Sequence, residues 1–166
     1  MKKFIDKNNQ QVTLSFAKQA FAKAPQHVFI VCMHQNKWLL TNHRIRGFEF
    51  PGGKCKEHET IEAAAVREVF EETGGKISNL IYIGEYEVQD KQQSFVKAVF
   101  FAEVDEIQEK EDYLETKGPV LLEGNILTHR QQTHFSFIMK DDMLPLVLEE
   151  MKRKELLVDT WKIEHH

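Results

Sequence analysis

The sequence is poor in the residues and segments that mark several large classes of protein. It has two cysteines in 166 residues, Cys32 and Cys55, which are too few for a disulfide framework and lack zinc-site spacing. No apolar run approaches the ~18 residues of a membrane-spanning helix. The N-terminal segment also lacks the apolar core of a signal peptide. We therefore expect a cytoplasmic protein with no membrane partner.

An excess of basic charge is also missing. The formal net charge is −4, which argues against a protein that coats duplex nucleic acid through many phosphate contacts. A protein that holds only one end of a polynucleotide is compatible with this charge. The length and a hydrophobic content of 42% predict a single domain over residues 1–166. The final residues 164–166 resemble an affinity-tag remnant, and we assign them no function.

The most informative stretch is acidic and lies between glycines. Residues 59–72 contain no Gly or Pro, and they predict a helix that Gly74 ends. Glu68, Glu71 and Glu72 are three and four residues apart, so they lie on one side of that helix. One interpretation is a solvated acidic helix with Glu–Arg pairs. The other is a set of oxygen ligands for a hard divalent cation, Mg²⁺ or Mn²⁺.

A glycine loop in front of the helix favours the metal-site interpretation. The loop reads Phe50-Pro51-Gly52-Gly53, and two glycines let the backbone approach a bound group closely. A carbonyl oxygen of Gly52 or Gly53 would then add a ligand to those of the helix.

The remaining chain alternates strand-like and polar segments. Its apolar runs predict strands at His27–Met33, Lys37–His43, Leu80–Val88 and Phe95–Val104, and a last helix over Met143–Leu157 with Asp141 or Asp142 as its cap. Residues 107–125 are charged and contain Gly118-Pro119, so we expect mainly loop there. Strands with helices on both faces make an α/β/α sandwich around a mixed β-sheet.

The glycines and acids follow one spacing. Gly53 is followed by five residues, Glu59, seven more residues and the run Arg67-Glu68-Val69-Phe70-Glu71-Glu72-Thr73-Gly74. This pattern resembles the signature of the Nudix hydrolases, the MutT-like family. Gly75 is the one departure from this signature, since the family usually has an aliphatic residue at that position. The flanking residues 48–53, 115–120 and 135–141 resemble, within the family, the Bacillus RNA pyrophosphohydrolases, also described as 8-oxo-dGTP diphosphatases.

The resemblance implies a Nudix fold, which is the same α/β/α sandwich, and a metal-dependent pyrophosphohydrolase. The implied cofactor is Mg²⁺ or Mn²⁺. The implied substrate is a nucleoside triphosphate of the 8-oxo-dGTP or dGTP type, or the 5′-triphosphate end of RNA. Water attacks a phosphorus atom, so the site must neutralise charge on phosphate oxygens and position that water.

The matched positions imply roles for individual residues. Glu68, Glu71 and Glu72 bind the metal, and Gly52 adds a backbone carbonyl. Either Glu68 or Glu71 is the general base, and the sequence does not distinguish between these two candidates. The family often has a further acid in a distant loop, for which Glu115 is the best candidate.

Other positions support the motif or the substrate. The structural set is Gly53, Glu59, Arg67 and Gly74, with Arg67 expected to pair with Glu59 or Glu71. The expected substrate contacts are Arg44, Arg46, Phe48 and Gly53, the arginines for phosphate and the phenylalanine for stacking on a base.

Two other functions compete. A Nudix-fold protein can sense a nucleotide without cleaving it, but such proteins usually have damaged motifs and every acidic position is intact here. An ADP-ribose or sugar-nucleotide pyrophosphatase is the second alternative. That branch commonly has a proline after the motif, and residues 80–95 contain none. The sequence leaves the exact substrate, the number of metal ions, the oligomeric state and the role of Cys55 open.

Overall fold

The computed structural model describes residues 1–157, and this part of the chain forms nine strands, three α-helices and one 3₁₀ helix. The strands are β1 Lys2–Ile5, β2 Gln11–Ser15, β3 His27–His34, β4 Lys37–His43, β5 Gly47–Glu49, β6 Gly52–Lys54, β7 Gly75–Gln89, β8 Ser94–Ile107 and β9 Thr116–Leu122. The α-helices are α1 Ile61–Thr73, α2 Ile126–His129 and α3 Met143–Arg153, and the 3₁₀ helix is Phe137–Met139. The predicted tag remnant lies outside the described residues.

All of these strands join one mixed sheet. Seven follow the order β1-β2-β7-β8-β3-β4-β5, while β6 pairs with β3 and β9 pairs with β4. Strands β3 and β8 run parallel, and the other pairs are antiparallel. The long hairpin β7–β8 confirms the two strands predicted from Leu80 and Phe95 and extends both. Asp90 closes its turn by accepting the N–H groups of Gln92 and Gln93 at 2.9 Å.

Helices cover both faces of the sheet. On one face, α1 buries Ala64, Ala65 and Val69 against strand residues such as Ile30 and Phe100. On the other face, α3 contacts β7 and buries a separate apolar group that includes Val147, Leu148 and Met151. Each face of the sheet therefore has its own apolar core, and the predicted α/β/α sandwich is confirmed.

The prediction of loop for residues 107–125 is wrong for their second half. Thr116–Leu122 forms β9, which pairs antiparallel with β4 at the edge of the sheet. Gly118 and Pro119 suggested a break, but an edge strand tolerates proline, and Gly118 has φ +102° within the strand.

The last helix is shorter than predicted. Asp141, rather than Asp142, supplies the side-chain cap by accepting the N–H of Met143 at 3.0 Å. The helix ends at Arg153 instead of Leu157, because Glu155 adopts a left-handed φ of +59° that a helix cannot continue. Among the described residues, no helix is long and apolar enough to cross a membrane.

Candidate active site

Helix α1 carries the acidic side chains, and local chemistry fixes both of its ends. At the start, the Thr60 hydroxyl accepts the N–H of Ala63 at 3.1 Å, as an N-cap does. At the end, Gly74 has φ +76° and its N–H donates to the Phe70 carbonyl at 2.8 Å. The helix bounds therefore lie within two residues of the predicted ones.

Three acids of α1, Glu68, Glu71 and Glu72, line one open cavity of about 360 Å³. Opposite them lie the glycine loop and the segment that leads into β9. The cavity is lined by His43, Arg46, Gly52, Gly53, Lys54, Glu68, Glu71, Glu72, Leu114 and Glu115. The structure thus brings together every residue predicted to bind metal or to act as a base.

Glu72 is the most deeply buried acid of this cavity, with 8% of its surface exposed. Its carboxyl group accepts the N–H of Gly52 at 3.2 Å and shares a hydrogen bond with Glu68. Burial, and then the adjacent Glu68, raises the pKa of Glu72 far above its ordinary value. Burial also raises the pKa of Glu68. Without a cation, the pair therefore keeps a proton at neutral pH.

The two glycines of the loop meet different close neighbours. A Cβ atom on Gly52 would lie 2.5 Å from the carbonyl oxygen of Val28, so the adjacent strand excludes any side chain there. A Cβ on Gly53 would lie 2.5 Å from the Glu68 Oε1 atom. The loop therefore leaves a space that the Glu68 carboxyl fills, which any larger residue at position 53 would displace.

Arg67 holds three acids of the motif. Its guanidinium donates twice to Glu59 at 2.8 Å, once to Glu68 at 2.8 Å and once to Glu71 at 3.2 Å. These bonds hold the pKa of Glu59 down at about 2. Arg67 thus makes both of the pairs predicted from the sequence, with Glu59 and Glu71, and it adds one with Glu68.

The donor set fits a hard divalent cation. The acids of α1 supply carboxylate oxygens, which Mg²⁺, Ca²⁺ and Mn²⁺ prefer. Within residues 1–157 no three His, Cys, Asp or Glu side chains already converge on one point. One nitrogen of Arg67 donates to both Glu68 and Glu71, and Glu68 and Glu72 share a hydrogen bond. A cation between Glu68 and Glu72 would replace the proton of that hydrogen bond and neutralise two carboxylates that are otherwise costly to bury together.

Glu115 lies at the mouth of the cavity. Its side chain is 88% exposed, and its Oε2 atom is 4.0 Å from the Nε2 atom of the buried His43. The backbone of Glu115 is fixed, because its carbonyl accepts the N–H of Arg44 at 3.2 Å. The acid predicted from the distant loop therefore reaches the same cavity as the acids of α1.

The structure separates the two candidate arginines. Arg46 lines the cavity and forms two hydrogen bonds with the buried Glu49, at 2.8 and 3.1 Å. Arg44 does not line it, and its Nε atom donates to the carbonyl of Leu114 at 3.4 Å. Of these two arginines, Arg46 is thus the one that lines the acidic cavity.

A second cavity of about 190 Å³ adjoins the first and shares Arg46, Gly52 and Gly53 with it. Its other walls are His27, Val28, Phe29, Glu49, Phe50, Lys97 and Ile138. Phe48, predicted to stack on a base, is not among them. Its ring packs against the rings of His134 and Phe135, with centroids 4.7 and 5.5 Å apart.

Lys97, a wall residue of the second cavity, is not among the residues predicted from the sequence. This residue also lines a third cavity of about 150 Å³, together with Tyr86, Phe95, Phe137 and Asp141. Burial lowers the pKa of Lys97 and raises that of Asp141 to about 6. The lone lysine inside the apolar run of residues 95–102 could have indicated a functional position, because burying an unpaired charge is costly.

A larger cavity of about 490 Å³ lies elsewhere and shares no lining residue with the acidic cavity. It lies between the segment 18–25, the start of α1 and β7. It contains one buried carboxylate, Glu85, and the exposed Glu62, but no glycine loop. Size alone therefore does not decide between the cavities, and the cluster of acids beside Gly52 and Gly53 makes the acidic cavity the candidate active site.

Comparison with known proteins shows the family of the chain. The NUDIX domain model matches residues 23–120. The chain is 45% identical over 152 residues to YtkD of Bacillus subtilis, which is named as an 8-oxo-dGTP diphosphatase, covering 92% of this chain and 96% of YtkD. The crystal structure of the Bacillus subtilis pyrophosphohydrolase BsRppH is similar with a TM-score of 0.88 and 43% identity, over 95% of this chain and all of that one.

More distant structures share the fold alone. The NUDIX domain of Shewanella oneidensis NrtR, solved with ADP ribose, has a TM-score of 0.59 and 18% identity, over 84% of this chain and 94% of that one. Hydrolases of this domain type depend on a divalent cation, in agreement with the carboxylates of α1. The matched domain and the similarity to YtkD and BsRppH show that the chain belongs to the Nudix hydrolase family.

Proposed function

We propose that this hydrolase uses Mg²⁺ or Mn²⁺ to remove phosphate from the 5′-triphosphate end of RNA, and that it also accepts 8-oxo-dGTP or dGTP. The observation that carries the proposal is the joining of the acidic cavity to two further cavities through Arg46, Gly52, Gly53, Lys97 and Ile138. The names of YtkD and BsRppH support the same substrate classes. A single domain would carry this activity, because all described strands belong to one sheet.

Each residue of the acidic cavity has a role in this proposal. Glu68, Glu71 and Glu72, with the Gly52 carbonyl, would hold the cation, which neutralises phosphate charge and acidifies a water molecule. Glu68, Glu71 or Glu115 would accept the proton of the attacking water. Arg67 and Glu59 would fix the helix side of the site, while Gly74 ends the helix after the last acid.

The phosphates and the base would occupy adjoining spaces. Arg46 is half-exposed between the acidic and second cavities and would contact a phosphate oxygen, with Gly53 allowing close approach. His27 and Phe29 would flank the first nucleoside in the second cavity. The third cavity, with Tyr86 and Phe95 in its wall, would hold the next nucleotide of an RNA chain.

The charge of the chain limits how much RNA it can hold. At a net charge of −4, contacts with phosphates beyond the first few nucleotides would be few, because duplex or long-chain binding relies on many cations. We therefore expect the rate to depend little on RNA length, and weakly on salt.

The proposal is tested by comparing a 5′-triphosphorylated oligonucleotide, 8-oxo-dGTP, dGTP and ADP-ribose at equal concentration. The assay identifies released phosphate or pyrophosphate and the remaining RNA end, with EDTA-treated enzyme as the control. We expect a 5′-monophosphate RNA product only in the presence of Mg²⁺ or Mn²⁺. A preference for ADP-ribose would favour a sugar-nucleotide pyrophosphatase. Tight nucleotide binding without turnover would favour a sensor, and either result would refute the proposed substrate.

A further inference from the structure

The ring of His43 has one nitrogen atom committed to the backbone. His43 is the last residue of β4 and is 8% exposed. Its Nδ1 atom accepts the N–H of Ile45 at 3.2 Å and the N–H of Arg46 at 3.1 Å. A backbone N–H can only donate, so Nδ1 carries no hydrogen. In the neutral ring the hydrogen is therefore on Nε2.

The Nε2–H group faces the acidic cavity. Nε2 is 4.0 Å from the Oε2 atom of Glu115, and both residues line the cavity. The two backbones are tied, because His43 pairs with Thr116 in the sheet and Arg44 N–H donates to the Glu115 carbonyl. A small rotation of the exposed Glu115 side chain would close the remaining gap to a hydrogen bond.

We propose that His43 is the positioning residue for Glu115, through an Nε2–H donor whose tautomer the loop 44–46 fixes. The proposal rests on the proposed role of Glu115 in the hydrolysis. An 88% exposed carboxylate samples many rotamers, whereas a charge-assisted hydrogen bond selects one and aims its other oxygen into the cavity. His43 thus acts through Glu115, and not on the substrate itself.

His43→Asn separates the two functions of the ring. The amide oxygen of asparagine can still accept the N–H groups of residues 45 and 46, as in an Asx turn, but the donor towards Glu115 is lost. We expect kcat to fall about tenfold with KM almost unchanged, as is common when a partner of an active-site carboxylate is removed. The melting temperature reports whether the loop survives, and His43→Ala, which removes both functions, should lower it more.

A double-mutant cycle decides whether the effect passes through Glu115. In the Glu115→Gln background, His43→Asn should cause almost no further loss of kcat. Glu87→Gln, a half-buried strand acid that lines none of the described cavities, is the control background and should keep the full tenfold effect. Additive losses in the Glu115→Gln background, or a harmless Glu115→Gln variant, would overturn the proposal.

An NMR measurement tests the geometry without any activity. The ¹⁵N spectrum of the neutral His43 ring should show the Nε2–H tautomer, and the Nε2 shift should change in Glu115→Gln but not in Glu87→Gln. The proposed role of His43 would be refuted if the ring carried its hydrogen on Nδ1, or if the Nε2 chemical shift were the same in Glu115→Gln as in the native protein. Either result would count even if the enzyme cleaves another substrate. Loss of the proposed RNA activity with these NMR results intact would count against the proposed function alone.

Discussion

Glu72 and Glu68 share a hydrogen bond at the base of the acidic cavity, one turn apart on α1. Two carboxylates at this distance cannot both be charged at low cost, so the pair keeps a proton that a cation would displace. The burial that makes this pair unfavourable without metal is therefore the same feature that favours a bound divalent ion. A cation bound by these two residues would therefore link stability, pH and metal binding.

Glu72→Gln should stabilise the metal-free protein. The pKa of Glu72 is raised on folding, so the unfolded chain releases this proton near pH 4.5, the ordinary value, while the folded protein keeps it. The free energy of unfolding of the native protein therefore falls as pH rises above that value. In Glu72→Gln this fall is absent, because the amide side chain does not titrate. We expect a melting temperature higher by about 2–4 °C at pH 8, corresponding to about 1 kcal/mol, and a smaller gain at pH 5.

The same variant should lose most of its response to metal. Mg²⁺ or Mn²⁺ should raise the melting temperature of the native protein by binding the folded state alone. Glu149→Gln, an exposed acid of α3, provides the control and should keep both the pH slope and the metal response. An equal metal-induced rise in Glu72→Gln would remove Glu72 from the metal site.

Glu68→Gln and Glu71→Gln should each lower kcat by at least ~10², because the amide keeps the size of the side chain but loses its charge and basicity. Circular dichroism should show an intact fold in both variants. The larger of the two losses would identify the better candidate for the general base. Near-native rates in both would mean that α1 presents only a solvated acidic face.

The local pattern predicted the helix and its acids well, because each signal acts over a few residues. The spacing of Glu68, Glu71 and Glu72 determines one helical face, and the stop at Gly74 follows from its left-handed backbone. The glycine loop could also be predicted from the sequence, although only the structure shows that Gly53 leaves space for the Glu68 carboxyl. These are consequences of chain geometry that need no partner from elsewhere.

Contacts between distant segments could not be predicted from the local sequence in the same way. The strand β9 depends on its pairing with β4, and the local signal of Gly118-Pro119 indicates a break instead. The separation of Arg44 from Arg46 depends on which side of a short loop each faces. The position of Phe48 likewise depends on His134 and Phe135, residues far along the chain.

Arg46→Lys should weaken catalysis more than Arg44→Lys does. Arg46 lines the acidic cavity and forms a two-point contact with the buried Glu49, which a lysine cannot reproduce. We expect kcat/KM for the triphosphate substrate to fall about tenfold, which corresponds to ~1.4 kcal/mol. Arg44→Lys should leave kcat/KM within about twofold, since the Arg44 side chain donates to the Leu114 carbonyl at the surface and does not line the acidic cavity. Equal effects would contradict the placement of Arg46 at the phosphate.

The end of α1 depends on Lys110, which lies between β8 and β9. Its Nζ atom donates to the carbonyls of Phe70 and Glu71 at 3.2 and 3.0 Å, and lies 4.9 Å from the centre of the Phe70 ring. The last turn of α1 has no basic residue of its own. Lys110 therefore supplies the cation that a helix C-terminus favours, at the end of the helix that carries Glu71 and Glu72.

Lys110→Met should lower the free energy of unfolding by about 1–2 kcal/mol, because two carbonyl groups lose a charged donor while the aliphatic stem is kept. For a chain of this length the melting temperature should fall by about 3–6 °C. Lys117→Met, at an exposed position of β9, is the matched control and should change the free energy of unfolding by less than ~0.5 kcal/mol. Thermal unfolding of the three proteins without metal measures the difference. Indistinguishable curves for the two variants would show that Lys110 does not stabilise the helix end that carries Glu71 and Glu72.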